Sequence, residues 1–265
     1  VGGGAVLSNC AFEIRELAKK LNIPAVETLM ARGVMGDENP LFFGMLGMHG
    51  EFSANMAAHE TDLLISLGAR FDDRVTGRLD EFASKAKIIH VDIDPTSIAK
   101  LVVPDYPIVG DLKVTVKAMI EAIESGENEF NDYTNWVELL RDYREKEPLR
   151  YIDSNEVIKP QWPIQRVGKL LGAKAIISTD VGQHQMWTAQ FYPFSYPRQW
   201  ITSGGLGTMG FGLPAAMGVA RALKGTDKVS INFTGDGSIL MNIQELMTCV
   251  EYELPVINII LNNNY

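Results

Sequence analysis

Apolar positions recur along this chain with two different periods, and their alternation predicts an α/β protein. Residues 9–21 (NCAFEIRELAKKL) place Phe12, Leu17 and Leu21 near one helical face, with acids and lysines elsewhere. Short apolar runs follow at 23–26 (IPAV), 62–68 (DLLISLG), 87–93 (KIIHVDI) and 106–110 (YPIVG), and a helix is predicted over 111–124. Beyond Pro160 the rhythm returns: a helix over about 163–171, a strand at 175–179, and a small-residue helix over about 212–223. A strand at 229–234, a helix over about 239–251 and a strand at 256–261 complete it. Apolar strands alternating with helices imply parallel sheets covered on both faces.

The stretch 125–160 reads differently. It carries SGENEFND, an amphipathic helix around 133–146, and then EPLRYIDSNEVIKP, with more charge and weaker apolar periodicity. The expected fold class is therefore α/β with two doubly wound parallel-sheet domains, at 1–125 and 161–265, joined by a linker at 126–160. The chain opens on Val1-Gly2-Gly3-Gly4 with almost no strand before it. It closes on Asn262-Asn263-Asn264-Tyr265 directly after an apolar strand, so flanking sequence is expected on both sides.

Composition narrows the function classes. With 265 residues, 46% hydrophobic and 22% charged, the chain is ordinary for one large or two medium soluble domains. A formal net charge of −9 leaves no basic footprint for nucleic acid. No apolar run approaches the ~18 residues of a membrane span, and no signal peptide is recognisable. The two cysteines, Cys10 and Cys249, form no C-x-x-C or Cys/His cluster, which points to a reduced, cytoplasmic compartment. His59-Glu60 lacks the second histidine of a zinc-protease helix, and His90 lies inside an apolar strand.

The chemistry concentrates at the end of the chain. Gly235-Asp236-Gly237-Ser238 follows strand 229–234 and opens a helix, while Asn262-Asn263 ends the next strand. The segment between is a β-α-β unit, so Asp236 and Asn263 fall at the carboxyl ends of two parallel strands, where open α/β sheets bind ligands. Magnesium takes near-octahedral oxygen coordination, usually with one or two carboxylates, waters and phosphate oxygens. Asp236 supplies an anion, Asn263 an amide oxygen, and a main-chain carbonyl near Tyr265 a third ligand. Ser238 stands at a helix N-terminus, which favours phosphate. Gly-Asp-Gly alone is most often a turn, and Asn-Asn a common loop ending. Glycines at 204, 205, 207, 210 and 212 leave room for a ligand or a helix to approach the backbone, and Met209 between them reads either as a core gap-filler or as a wall facing a ligand.

Taken together, GDGSILMNIQELMTCVEYELPVINIILNN resembles the thiamine-diphosphate signature, with GDG and NN at the family's separation. TDVGQHQMW (179–187) and ITSGGLGTMGFGLPAAMGVA (201–220) resemble the diphosphate-binding domain of the acetolactate synthase (acetohydroxyacid synthase) family, large catalytic subunit. That likeness implies that Val181, Gly182, Gln183 and His184 line the diphosphate end. It assigns Gly207 and Met209 to the aminopyrimidine and the bent middle of the cofactor. Gly235, Asp236, Gly237, Ser238 and Met241 would close the pocket, with Asn263 on the metal. His184 and Met209 are the candidates nearest the chemistry.

The first half carries weaker signals. Gly2-Gly3-Gly4 before a helix is a phosphate-loop arrangement, but Leu7 stands where a dinucleotide fingerprint has its third glycine. Asp92 ends a strand but lies too far on for that fingerprint, which disfavours a plain NAD dehydrogenase. In GARFDDRVTG (68–77), Arg70 and Arg74 are either self-paired with Asp72 and Asp73 or available to phosphate. MLGMHG (45–50), LGARFDDRVTG and HVDIDPTSI resemble the central, FAD-binding domain of the same family. The resemblance assigns to flavin Gly2, Gly3, Gly4, Thr28, Leu29, Met48, His49, Gly68, Arg70, Asp72, Arg74, Val75, Asp92, Ile93 and Asp111.

The likeness spans essentially the whole chain. It implies a thiamine-dependent transferase with thiamine diphosphate, Mg2+ and FAD. The reaction is decarboxylation of pyruvate and joining of the two-carbon unit to pyruvate or 2-oxobutanoate, in branched-chain amino-acid biosynthesis. The implied partners are 2-oxoacid substrates, a second copy in a homodimer or tetramer, and a small regulatory subunit. In that family an activating glutamate stands on an N-terminal domain across a dimer interface. No counterpart is recognisable here, so the 265 residues alone are expected to be inactive. Competing readings are another thiamine-dependent enzyme, such as glyoxylate carboligase or pyruvate oxidase, and a non-catalytic nucleotide-binding module.

Overall fold

A computed structural model describes residues 1–126 and 130–263, in two compact units, Val1–Leu149 and Arg150–Tyr265. Every strand pair in both units is parallel.

In the first unit, helix α1 (Gly3–Leu7) and helix α2 (Ala11–Leu21) precede strand β1 (Ala25–Glu27). The buried stripe of α2 is Ile14, Leu17 and Ala18, with Leu21 packed beside it, while Phe12 is 75% exposed. The expected face was therefore rotated. Positions 14, 17, 18 and 21 follow the i, i+3, i+4, i+7 rule, and Phe12 lies about 200° away from Ile14. The helix ends where Asn22 turns left-handed at φ 50°.

Strand β2 (Phe42–Met45) and helix α3 (Phe52–Glu60) come next, followed by β3 (Leu63–Leu67), the short α4 (Asp73–Thr76), β4 (Lys87–Asp92), β5 (Tyr106–Val109) and α5 (Leu112–Glu124). The ladders are β1–β2 and β3–β4–β5. Val1 and Gly2 join them. The Val1 amino group donates to Val26 O (2.8 Å), Thr28 N donates to Val1 O (2.9 Å), and Gly2 N donates to Leu67 O (2.9 Å). The strand order thus reverses between Val1–Gly2 and β3: the chain first runs outward through β1 and β2, then returns to β3, β4 and β5.

Helix α6 (Thr134–Lys146) lies within the segment read as linker, and it buries Val137 and Leu140 in the core of this unit. Arg144 donates to Phe42 O (2.7 Å), and Tyr143 O–H donates to Glu60 (3.0 Å). Its polar surface hid this role, because only one narrow apolar stripe is needed to dock a helix.

The second unit runs α7 (Gln161–Leu171), β6 (Ala175–Thr179), α8 (Gln183–Phe191), β7 (Trp200–Thr202), α9 (Gly212–Ala222) and β8 (Val229–Gly235). It continues with α10 (Asp236–Leu240), α11 (Glu245–Glu251) and β9 (Val256–Leu261). The sheet order is β7-β6-β8-β9. The core is built on β6 and β8, whose Ile177, Ile231 and Phe233 are buried, against Ile164, Leu213 and an aromatic group of Tyr192, Phe194 and Trp200. Here too the order reverses, between β6 and β8. The single helix expected over 239–251 is instead α10, a turn and α11. Asn242 in that turn donates from Nδ2 to Gly210 O (2.7 Å), an anchor outside the helix.

Candidate functional site

Ligands of open α/β sheets bind beyond the carboxyl ends of strands where the strand order reverses. In the second unit that crevice lies between the ends of β6 and β8. Residues 180–184 follow β6 there, and Gly235 ends β8 with residues 236–238 directly after it, both drawn from the sequence motifs.

Local forces bring these segments together. Gly182 caps α8 with φ +151°, a backbone conformation closed to L side chains, and no side chain caps the helix. The first N–H groups of α8 thus remain open to an anion. The buried His184 ring sits between Gly182 and Gly235: a Cβ on either glycine would come within 2.9 to 3.0 Å of it. Burial holds its pKa below the usual imidazole value, against the opposing pull of Asp180 and Asp236, and its Nε2 has no hydrogen-bond partner among the described residues. Ser238, itself buried, donates from Oγ to Val181 O (3.2 Å).

The glycine loop closes the other side. Gly207 approaches Val181, and the Met209 methyl lies about van der Waals distance from where a Gly237 Cβ would stand (3.9 Å). Gly210 packs on Met241 and Asn242. Met209 and Met241 are 44% and 56% exposed, which fits walls of an open site better than core gap-fillers. Val181, Gly182, Gln183, His184, Gly207, Met209, Gly235, Gly237, Ser238 and Met241 are therefore brought into one neighbourhood.

Asp236, half-buried, follows Gly235, which pairs in register with Leu261 at the end of β9. Asn262 and the exposed Asn263 come directly after Leu261, so the carboxylate and the amides leave adjacent strands at the same edge. The Tyr265 carbonyl lies outside the described residues. Among the described residues no three His, Cys, Asp or Glu side chains gather into a metal cage. One carboxylate and one amide suit a magnesium ion that takes its other ligands from phosphate and water. A hollow of about 450 Å³ lies elsewhere, between α11 and β9, lined by Leu246, Val250, Leu254 and Val256 among others. Its apolar wall offers nothing to a diphosphate.

Asp180, Thr234 and Asn242 were not singled out from the sequence. Asp180 is buried, accepting from Gly212 N at Oδ1 (2.9 Å) and from Thr234 O–H at Oδ2 (2.7 Å). A carboxylate directly after an apolar strand and before Val-Gly was the available signal.

In the first unit the reversal lies at Gly2–Gly4 and Gly68. A Cβ on Gly2 would stand 2.5 Å from Ala69 Cα, and one on Gly4 2.8 Å from Gly68 Cα. These glycines are thus required by each other's backbones. Thr28 and Leu29 follow β1, Asp92 and Ile93 close β4, and Asp111 follows β5, so parallel strands bring them to one edge. Asp72 and Asp111 cap α4 and α5, accepting from Arg74 N (3.1 Å) and Val114 N (2.9 Å). Arg70 and Arg74 pair with Asp72 (3.4 Å) and Asp73 (3.9 Å), and both guanidiniums are largely exposed. Pairs that weak leave the arginines free to meet a phosphate. Met48 and His49 are exposed, in a loop held by Met48 N donating to Arg74 O (2.8 Å), with Val75 alongside Gly47. His90 is buried, its Nε2 2.9 Å from Ala69 O, in keeping with a structural role. No helix among the described residues is long and apolar enough to cross a membrane.

Comparison with known proteins meets this geometry from outside. Residues 1–119 match the family described as thiamine pyrophosphate enzyme, central domain, and residues 180–265 match thiamine pyrophosphate enzyme, C-terminal TPP binding domain. The chain is 46% identical over 267 residues to the acetolactate synthase isozyme 3 large subunit of Escherichia coli (strain K12), covering all of this chain and 46% of that protein. It is 45% identical over 266 residues to the acetolactate synthase large subunit of Haemophilus influenzae, covering 46% of it. It is likewise 45% identical to acetolactate synthase 1, chloroplastic, of Nicotiana tabacum, covering 39% of it. The chain thus spans about half the length, or less, of the curated relatives it matches.

Proposed function

The chain belongs to the thiamine pyrophosphate enzymes, and from that premise we propose that it acts as part of an acetolactate synthase catalytic subunit. The reaction is decarboxylation of one 2-oxoacid, pyruvate, and transfer of its two-carbon unit to pyruvate or 2-oxobutanoate. The observation that carries this reading is the pairing of Asp236 and Asn263 at the ends of neighbouring strands, beside the uncapped start of α8. The identity of about 46% to acetolactate synthase large subunits supports the choice of substrate class.

Asp236 and Asn263 would hold Mg2+, and the N–H groups of Gln183 and His184 together with Ser238 would hold the diphosphate. The bound thiazolium supplies an electron sink for the carbanion left by decarboxylation. This chain's own contribution is placement. Met209 and Met241 form apolar walls against the organic part, Val181 and Gly207 shape the turn between them, and neutral His184 offers a neutral imidazole nitrogen beside the pocket. In the first unit, the same logic makes the edge formed by Gly2–Gly4, Thr28, Leu29, Gly68, Asp92, Ile93 and Asp111, with Arg70 and Arg74 nearby, the expected seat of FAD. Assembly as a homodimer or tetramer with a small regulatory subunit, in the cytoplasm, belongs to this proposal.

The test is calorimetric titration with thiamine diphosphate, with MgCl2 and again with chelator. Binding is expected only with magnesium, and Asp236→Ala is expected to weaken it by at least about 100-fold, since the one carboxylate ligand to a divalent ion is lost. Magnesium-independent binding, or unchanged binding by Asp236→Ala, would refute the assignment. Product analysis of the full-length protein with pyruvate, alone and with 2-oxobutanoate, should give acetolactate and its ethyl homologue. Acetate formed with oxygen uptake would move the reading to an oxidase.

A further inference from the structure

Asp180 lies outside every group of residues assigned above to the cofactor, yet it ties together the elements that frame the pocket. It follows β6 and is 1% exposed. Its Oδ1 accepts from the N–H of Gly212, the first residue of α9 (2.9 Å). Its Oδ2 accepts from the Thr234 hydroxyl (2.7 Å), two residues before Asp236. Its own N–H donates to Phe233 O (3.2 Å).

Burying a carboxylate is expensive unless donors or charges compensate it. No lysine or arginine forms an ion pair with Asp180 among the described residues. Compensation comes instead from the two hydrogen bonds and from the positive end of α9, whose own N-cap position, Phe211, supplies no side-chain cap. The fit is close: a Cβ on Gly212 would stand 2.6 Å from Asp180 N. The glycine loop that carries Gly207, Met209 and Gly210 leads straight into Gly212. Its far side is fixed by Asn242 Nδ2 donating to Gly210 O (2.7 Å).

We propose that Asp180 is the positioning residue of the thiamine-diphosphate pocket, setting the spacing between the glycine loop and the strand end that carries Asp236. This inference rests on the cofactor reading above. It adds a residue that touches neither cofactor nor metal and acts through Gly212 and Thr234.

The test compares three variants of the full chain. Asp180→Asn and Thr234→Val alter the tie itself. Ser230→Ala removes another buried bond between β8 and α9, from Ser230 Oγ to Ala216 O (2.8 Å), away from the strand end. Each is titrated with thiamine diphosphate and MgCl2, and each is unfolded with urea in the absence of cofactor. A positioning role predicts that Asp180→Asn and Thr234→Val weaken binding about tenfold, about 1.4 kcal/mol, while Ser230→Ala binds within about twofold of wild type at a similar loss of stability. If all three bind alike per unit of stability lost, the tie is only structural and the inference falls. If Asp180→Asn does not fold, Thr234→Val decides, since it exchanges a hydroxyl for a methyl of similar size. Wild-type protein that fails to bind at all would overturn the cofactor reading, and this inference with it.

Discussion

Two glycines on helix α9 should respond to the same substitution with opposite signs. Gly212 opens the helix, and a Cβ there would collide with Asn232 Oδ1 and stand 2.6 Å from the backbone nitrogen of Asp180. Neither neighbour can give way: Asn232 is buried and held by Nδ2 donating to Asn258 (2.9 Å), and the Asp180 nitrogen belongs to the strand end. Gly212→Ala therefore pushes α9 off the sheet. Overpacking of this kind costs about 1–3 kcal/mol, and the strained bond to the Asp180 carboxylate adds about 1 kcal/mol or more. A total loss of about 2–4 kcal/mol is expected. Gly218 sits in the exposed interior of the same helix with nothing within 4 Å of a new Cβ. Gly218→Ala there removes backbone freedom from the unfolded chain and should gain about 0.5–1 kcal/mol. Urea unfolding followed by tryptophan fluorescence reads the second unit, which holds Trp162, Trp187 and Trp200. With a slope near ~2 kcal/mol/M, the midpoint should fall by about 1–2 M for the first variant and rise by about 0.3–0.5 M for the second. Equal midpoints, or a Gly212→Ala variant as stable as wild type, would refute the close approach of α9 to Asp180.

Gln199, fully buried, accepts from Ser195 N (2.8 Å) and donates to Gly172 O (2.8 Å) and Ala175 O (3.0 Å), so Gln199→Leu should cost about 2–4 kcal/mol in urea unfolding. Tyr192→Phe should cost only about 1 kcal/mol, because Gly172 O, which accepts the Tyr192 hydroxyl (2.8 Å), keeps its Gln199 donor; equal losses for the two variants would contradict this. Burial holds His90 below the ordinary imidazole pKa of 6.5, against the opposing pull of Ala69 O and Asp92, so the folded protein stays neutral there while the unfolded chain takes up a proton. Stability from this group is complete above about pH 6.5 and is lost as pH falls below it; urea midpoints at pH 7.5 and 5.5, read at Trp136 in the first unit, should differ less in His90→Gln than in wild type.

Strands 175–179 and 256–261 were legible to the residue because both are short apolar runs bounded by polar or turn residues, the first buried throughout and the second a partly exposed edge strand. β2 and β7 were missed. Phe42–Met45 contains a glycine at φ +101°, and Trp200–Thr202 is only three residues long, so neither gives a run that stands out from its surroundings. Helices α3 and α8 were missed for a related reason. Their apolar positions scarcely cluster on one face, because Ala54, Ala57 and Ala58 in α3 and Gln185 and Thr188 in α8 are buried as small or hydrogen-bonded residues. Periodicity detects contrast between faces, and these helices have little.

The candidate site was legible where a residue type states its own chemistry, as Asp236 does at a strand end. Glycine states much less, because the sequence cannot say whether it makes room for a ligand or for another part of the chain. The structure separates the two uses. A Cβ on Gly212, Gly4 or Gly2 would strike the chain's own backbone, so those positions must stay glycine whatever binds nearby. Gly205 meets nothing within 4 Å, and Gly207 meets only Val181 at 3.8 Å, so the fold leaves the space above them open. The two kinds divide the loop, open at Gly205 and Gly207 and then closely packed at Gly210 and Gly212, and the close packing anchors the end of the open stretch. A ligand pocket built this way needs both kinds of glycine, and the buried carboxylate of Asp180, which nothing in the glycine pattern announced, ties the start of α9 to Thr234 near the end of the strand that leads into Asp236.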